Sequence, residues 1–145
     1  MKVVDRELYL GAALAQIVES YDFSSMRKAS AVFGHYEFNE TRRLLIRYTK
    51  SQRGPWYFTF RPRDLQLIQD ELASDLPFFV GLVCSNTTTC LLTAEQILEV
   101  LDLRACQSQS IRVHTRPRAS LSVSGSGGSL GDKVMHHSFP AGLFQ

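Results

Sequence analysis

The sequence has few cysteines and no spacing that pairs them. Its three cysteines are Cys84, Cys90 and Cys106, and none of them belongs to a CxxC motif. This pattern favours free thiols over a disulfide framework, and it lacks the closely spaced ligand pairs of most zinc sites. We therefore expect reduced, buried thiols, no bound metal or other cofactor, and a cytoplasmic location.

Long apolar runs are also missing. No run approaches the roughly 20 residues that a membrane-spanning helix needs. Acids lie in and before the apolar part of the N-terminal segment, unlike in a secretory signal. We expect no membrane association. A length of 145 residues, of which 44% are hydrophobic, suits a single domain that buries a sizeable core.

Two signature motifs of catalysis are absent as well. The sequence contains neither an HExxH nor a P-loop pattern. The Ser- and Gly-rich segment 124–131 lacks the Lys-Ser/Thr pair of a phosphate-binding loop, so we expect a flexible turn there. These absences favour a binding protein over an enzyme.

Acidic residues are missing from two windows of the chain, 42–63 and 103–131. These windows contain most of the 16 Lys and Arg residues, so a formal net charge of only +2 conceals a segregated distribution of charge. Such segregation predicts a positive surface that faces an anionic partner.

The basic windows also contain tryptophan and tyrosine, a combination that suits nucleic acid. Guanidinium groups pair with phosphates, and aromatic rings stack on unpaired bases. The alternative is a solvated basic face, with Trp56, Phe58 and Phe60 in the core. We predict DNA or RNA binding through Arg47, Arg53, Arg61, Arg112, Arg116 and Arg118.

Hydrophobic periodicity predicts the element order α-β-β-β-α-β-β-α-β-β. The predicted helices are 5–20, one that begins at Pro62 and ends before Pro77, and one that follows a capping box at Thr93. The predicted strands are 29–38, 44–50, 56–60, 78–84, 90–92, 111–116 and 121–123. This order indicates an α/β (α+β) fold, in which about three helices flank a mixed, largely antiparallel sheet.

Three segments support finer predictions. The helix at Pro62 is amphipathic, and its acids, Asp64, Asp70 and Glu71, should lie opposite its apolar side. The apolar run 78–84 predicts a strand that is buried on both faces. We expect a single domain over residues 1–145, with a tail, 132–145, whose phenylalanines and leucine dock on this domain or across a dimer interface. A homodimer through this tail or through an edge strand is therefore one predicted partner.

Carboxylates and a lysine around the first hairpin, Glu37, Lys50 and Glu19, are the weak catalytic candidates. Here the order of elements resembles the restriction-endonuclease-like nucleases of the archaeal Holliday-junction resolvase type. Segments 11–19, 36–39 and 45–50 match that family's helix, its first acidic strand and its Glu-x-Lys strand. The resemblance covers roughly residues 5–101, by topology.

This resemblance implies a nuclease that uses Mg²⁺, but the active site is incomplete. Tyr48 stands where the family has the acid two residues before the lysine. A second carboxylate, for instance Glu40 or Glu19, would have to complete the magnesium site. The alternative role of Glu37 and Lys50 is an ordinary ion pair between neighbouring strands.

The chain also resembles small proteins of bacterial mobile gene cassettes, such as integron cassettes. The likeness lies in the size, in the aromatic strand 56–60 ahead of a helix, and in the tail 139–144. It implies no chemistry. Two alternatives to nucleic-acid binding therefore stay open, a non-enzymatic, dimeric protein-interaction module and a divergent metal-dependent nuclease.

Overall fold

A computed structural model describes residues 1–145 and contains three α-helices and ten β-strands. The helices are α1 (Asp5–Val18), α2 (Pro62–Leu72) and α3 (Ala94–Val100). The strands are β1 (Met26–Lys28), β2 (His35–Phe38), β3 (Arg42–Thr49), β4 (Trp56–Phe60), β5 (Phe78–Cys84), β6 (Thr88–Leu92), β7 (Gln109–Arg116), β8 (Ser120–Gly125), β9 (Gly128–Ser129) and β10 (Val134–Met135). The predicted α+β class is confirmed.

The strands form two sheets. The first sheet has the order β1-β2-β3-β5-β6, in which only β3 and β5 run parallel. The second sheet has the order β10-β8-β7-β4, with β9 paired to β8, and is antiparallel throughout. The chain passes from the first sheet to the second between β3 and β4, where Gly54 and Pro55 interrupt the strand pattern.

The main core lies between the inner faces of the two sheets. Alternate residues of β4 point inward, so Trp56, Phe58 and Phe60 are all buried there. They pack with Val80 and Leu82 from the first sheet and with apolar residues of the other strands and of α2 and α3. Each such side chain contributes about 1.5–3 kcal/mol to folding through burial.

The first sheet is covered on its other face too. There α1 and the C-terminal tail form a second core, to which Ile17, Phe139 and Leu143 contribute. Every residue of β5 is consequently buried, as the apolar run predicts. The tail docks on its own domain, and the Arg42 guanidinium donates a hydrogen bond of 2.6 Å to the Leu143 carbonyl oxygen.

The helix boundaries follow local signals. Helix α2 begins with Pro62 at its first position, and α3 begins with the predicted capping box, in which the Thr93 hydroxyl accepts from the Gln96 N–H. None of the three helices has both the length and the apolar character that crossing a bilayer requires.

The predicted strand 29–38 is wrong in its first half. Residues 29–34 form a loop between β1 and β2, which we call the serine loop because it carries Ser30. Gly34 closes this loop with a φ of +90°, and a Cβ atom there would lie 2.6 Å from the Ile46 carbonyl oxygen. Only glycine fits this close approach. Its left-handed backbone conformation prevents β2 from extending back into residues 29–34.

Two further expectations need correction. The Ser- and Gly-rich segment is a tight hairpin against α3 instead of a flexible turn, because a Cβ atom on Gly127 would lie 2.6 Å from the Leu101 carbonyl carbon. Cys84 and Cys90 are buried as expected, and burial raises the pKa of both thiols. Cys106, however, is exposed.

Candidate nucleic-acid interface

One face of the second sheet is open to solvent. Because side chains alternate along a strand, the burial of Ile111 and Val113 sends Arg112, His114 and Arg116 to the opposite side. We call the outward side chains of β4, β7 and β8 the basic face. They are Tyr57, Thr59, Ser110, Arg112, His114, Arg116, Ser122 and Ser124. This surface contains no acidic residue.

Strand pairing fixes the arrangement of the basic face. Arg112 lies opposite Tyr57 on one side and Ser124 on the other, and His114 lies opposite Ser122. Arg116 lies four residues beyond Arg112, about 13 Å along the strand at roughly 3.3 Å per residue. The result is a basic stripe with a tyrosine on one flank and serine hydroxyls on the other.

The positive charge of this stripe is uncompensated. No acid lies within ion-pair distance of Arg112 or Arg116. Partial burial lowers the pKa of His114, and the charges of Arg112 and Arg116 lower that pKa further. The two guanidinium charges therefore disfavour the protonated imidazole, in addition to the effect of burial.

Three more of the predicted arginines are exposed around the second sheet. Trp56 pairs with Val113, so the segment that precedes β4 and carries Arg53 lies at the end of the sheet that Arg116 occupies. Arg118, in the β7–β8 turn, lies at that end as well. Arg61 follows β4 at the opposite end and precedes α2.

Arg47 is not part of the basic face. It lies on β3 in the first sheet, and its Nη2 donates to the Asp64 carboxylate of α2 at 2.9 Å. The β3 side chains on the same side of the first sheet as Arg47 lie under α2. Arg47 therefore meets an acid of that helix instead of solvent. Its prediction as a ligand-binding residue therefore loses its geometric support.

The aromatic residues of β4 do not all lie on an exposed stacking surface. Trp56, Phe58 and Phe60 are at most 3% exposed, in agreement with the alternative in which they belong to the core. The exposed ring of β4 is Tyr57, which is 57% accessible. Strict alternation along 56–60 was the signal that could have identified it, since the residue between two buried aromatics must face outward.

The weak catalytic candidates do not share a site. Glu37 is buried on β2, and the residue opposite it on β3 is Arg43, not Lys50. Lys50 lies seven residues beyond Arg43, about 23 Å along the chain at roughly 3.3 Å per residue, and pairs with Asp5. The predicted Glu37–Lys50 ion pair is therefore wrong. Glu19 is exposed at the end of α1.

Glu37 instead belongs to a network between the first sheet and α2. It accepts from Arg27 at 2.7 Å and from Arg43 at 3.1 Å. Arg43 also donates to Glu71 of α2 at 2.8 Å, and Glu71 accepts from His35 at 2.9 Å. We call these five residues the ion-pair network. Glu71 is buried, contrary to the prediction of a solvent-facing acid, because α2 turns this carboxylate onto the sheet.

Comparison with known proteins assigns neither a family nor a function to this chain. No family model, curated protein or solved structure matches this chain. The resemblances to restriction-endonuclease-like nucleases and to mobile cassette proteins therefore stay predictions. The structure contains no cluster of three or more His, Cys, Asp or Glu side chains that could hold a metal ion.

The ion-pair network predicts a pH-dependent contribution to stability. Hydrogen bonds from Arg27, followed by those from Arg43, lower the pKa of Glu37 from its ordinary value of 4.5, although burial opposes them. The ionised carboxylate therefore stabilises the fold above that value, and this stabilisation is lost as the pH falls through the lower, folded pKa. Glu37→Gln should lower the free energy of unfolding by about 2 kcal/mol at pH 7, since Arg27 is exposed and part of the pair is screened.

Urea unfolding at pH 7 and pH 3 measures this effect. The difference between Glu37→Gln and the unmodified protein should shrink at pH 3. Lys50→Ala is the control, because its exposed pair with Asp5 is worth less than about 0.5 kcal/mol at either pH. Equal losses for the two variants at pH 7 would refute the assignment of Glu37 to a stabilising network.

Proposed function

We propose that this is a cytoplasmic protein that binds single-stranded DNA or RNA on the basic face, without catalysis at that face. The observation that carries the proposal is the uncompensated stripe Arg112–His114–Arg116 beside the exposed Tyr57. Arg53 and Arg118 extend the positive surface at one end. Positive groups in such an array attract a polyanion through phosphate contacts and counterion release.

The shape of the basic face favours a single strand over a duplex. An open sheet offers a flat platform, whereas readout of the major groove of a duplex uses a protruding helix or ribbon. An unpaired base can stack on the Tyr57 ring while guanidinium groups contact the neighbouring phosphates. The serines next to the stripe supply hydroxyl groups for further hydrogen bonds.

Salt dependence provides the first test. If Arg53, Arg112, Arg116 and Arg118 each neutralise one phosphate, log K should fall with log salt concentration with a slope of about −3, at roughly −0.7 per phosphate of a single strand. Replacing both Arg112 and Arg116 with glutamine should reduce that slope by about 1.4 and raise Kd roughly tenfold or more at low salt. Fluorescence anisotropy with labelled oligonucleotides measures both quantities.

The control is Lys28→Gln, which removes one positive charge from the edge of the first sheet, compared with two in the arginine variant. It should leave the slope and the affinity nearly unchanged. Loss of affinity in proportion to net charge, whichever residue is replaced, would contradict a localised interface. Absence of binding at low salt would refute the proposal and favour the protein-interaction module. Cleavage that needs Mg²⁺ and is lost in Lys50→Ala would favour the nuclease.

Base stacking provides a second, independent test. Tyr57→Ala should raise Kd for a single-stranded oligonucleotide by about 5- to 150-fold, because one stacked base contributes about 1–3 kcal/mol. Tyr57→Phe keeps the ring and should bind within about twofold of the unmodified protein. Equal affinities of the alanine and phenylalanine variants would show that the ring is not a stacking platform. Isothermal titration calorimetry with a short oligonucleotide distinguishes these results.

A further inference from the structure

The serine loop, β2 and α2 bring a serine, a histidine and a glutamate together, outside the basic face. The Ser30 Oγ lies 2.8 Å from the His35 Nδ1, and the His35 Nε2 lies 2.9 Å from the Glu71 Oε2. His35 and Glu71 are buried, whereas Ser30 is exposed. The order of hydroxyl, imidazole and carboxylate is that of a nucleophile, its general base and the group that orients the base.

The direction of each hydrogen bond follows from the partners. A Glu71 carboxylate only accepts, so the proton of neutral His35 lies on Nε2 and the lone pair lies on Nδ1. The Ser30 hydroxyl then donates to Nδ1. Within the ion-pair network, two carboxylates face the guanidinium groups of Arg27 and Arg43, so the charges cancel while His35 is neutral.

Ser30 is one of the residues that line a cleft of about 840 Å³. The cleft lies between the serine loop, α1, β3 and α2, and this volume is in the range of small-molecule sites. Apolar residues form part of its wall, among them Val32, Phe33 and Leu67. Such a wall suits the hydrocarbon part of a small acyl group.

The serine loop also offers hydrogen-bond donors. The Val32 N–H donates to the Ser30 Oγ at 3.1 Å and so holds the hydroxyl in place. The N–H group of Phe33, a residue that lines the cleft, has no acceptor within the chain. Donors beside a nucleophile are what a developing oxyanion requires. Gly34, in its left-handed conformation, ends the loop directly before His35.

We propose that Ser30 is a catalytic nucleophile that hydrolyses carboxylic esters with small acyl groups in this cleft. The Ser30 Oγ bonds to the carbonyl carbon while its proton moves to the His35 Nδ1, and the carbonyl electron pair moves onto oxygen. Collapse of this intermediate breaks the bond to the alcohol, which leaves with the proton from Nδ1. A water molecule then releases the acid from Ser30 by the same transfers, with Glu71 as a positioning residue.

The test uses the full chain and two probes. Diisopropyl fluorophosphate should react once per molecule with release of fluoride, and peptide mass spectrometry should locate the adduct on Ser30. The protein should also hydrolyse p-nitrophenyl acetate, with a burst of one p-nitrophenol per molecule. Ser30→Ala should abolish the adduct and lower the esterase rate at least about 100-fold.

Matched controls separate this role from a structural one. Ser51→Ala changes an exposed loop serine outside the cleft and should keep both reactions. Ser30→Ala should keep the circular dichroism spectrum and the oligonucleotide affinity of the unmodified protein, because Ser30 lies outside the basic face. An unmodified protein that forms no adduct, an adduct on another residue, or esterase activity that survives in Ser30→Ala would each overturn the proposal.

Discussion

Apolar packing between the inner faces of the two sheets fixes the direction of every side chain on the second sheet. Ile111 and Val113 must face the first sheet, and the period of two along a strand then sends Arg112 and His114 to solvent. A shift by one residue would bury the guanidinium group and expose the aliphatic side chains, at a large cost in free energy. The basic face is thus a direct consequence of the core.

The same packing explains why only one sheet face is open. Helix α1 and the C-terminal tail cover the outer face of the first sheet, with Phe139 and Leu143 closing the second core. Near β2 and β3, α2 covers the inner face, and its acids meet the arginines of the sheet. Glu71 also holds His35 in the orientation that the proposed chemistry at Ser30 requires.

Local signals in the sequence predict most of the elements but not their partners. The bounds of β4, the start of α2 and the capping box of α3 are predictable, because each depends on residues within one short segment. The pairing of β4 with β7 joins residues about fifty positions apart and leaves no local mark. The predicted order therefore lacks the division into two sheets.

The site residues show the same difference between local signals and contacts that join distant parts of the chain. Arg112 and Arg116 are predictable from alternation within one strand, whereas the ion pair of Arg47 depends on where α2 docks. The contact between His35 and Glu71 spans 36 residues and has no motif, so the sequence places Glu71 on the solvent side of its helix. The fold pairs some of the clustered arginines with acids, so only the arginines that stay unpaired form the positive surface.

Amide chemical-shift mapping of the ¹⁵N-labelled protein with a short single-stranded oligonucleotide tests whether the basic face is the binding surface. We expect the amides of β4, β7 and β8 to shift, with the largest changes between Arg112 and Arg116, and those of α1 to stay unchanged. Shifts confined to α1, α2 or the first sheet, or no shifts at low salt, would contradict this account.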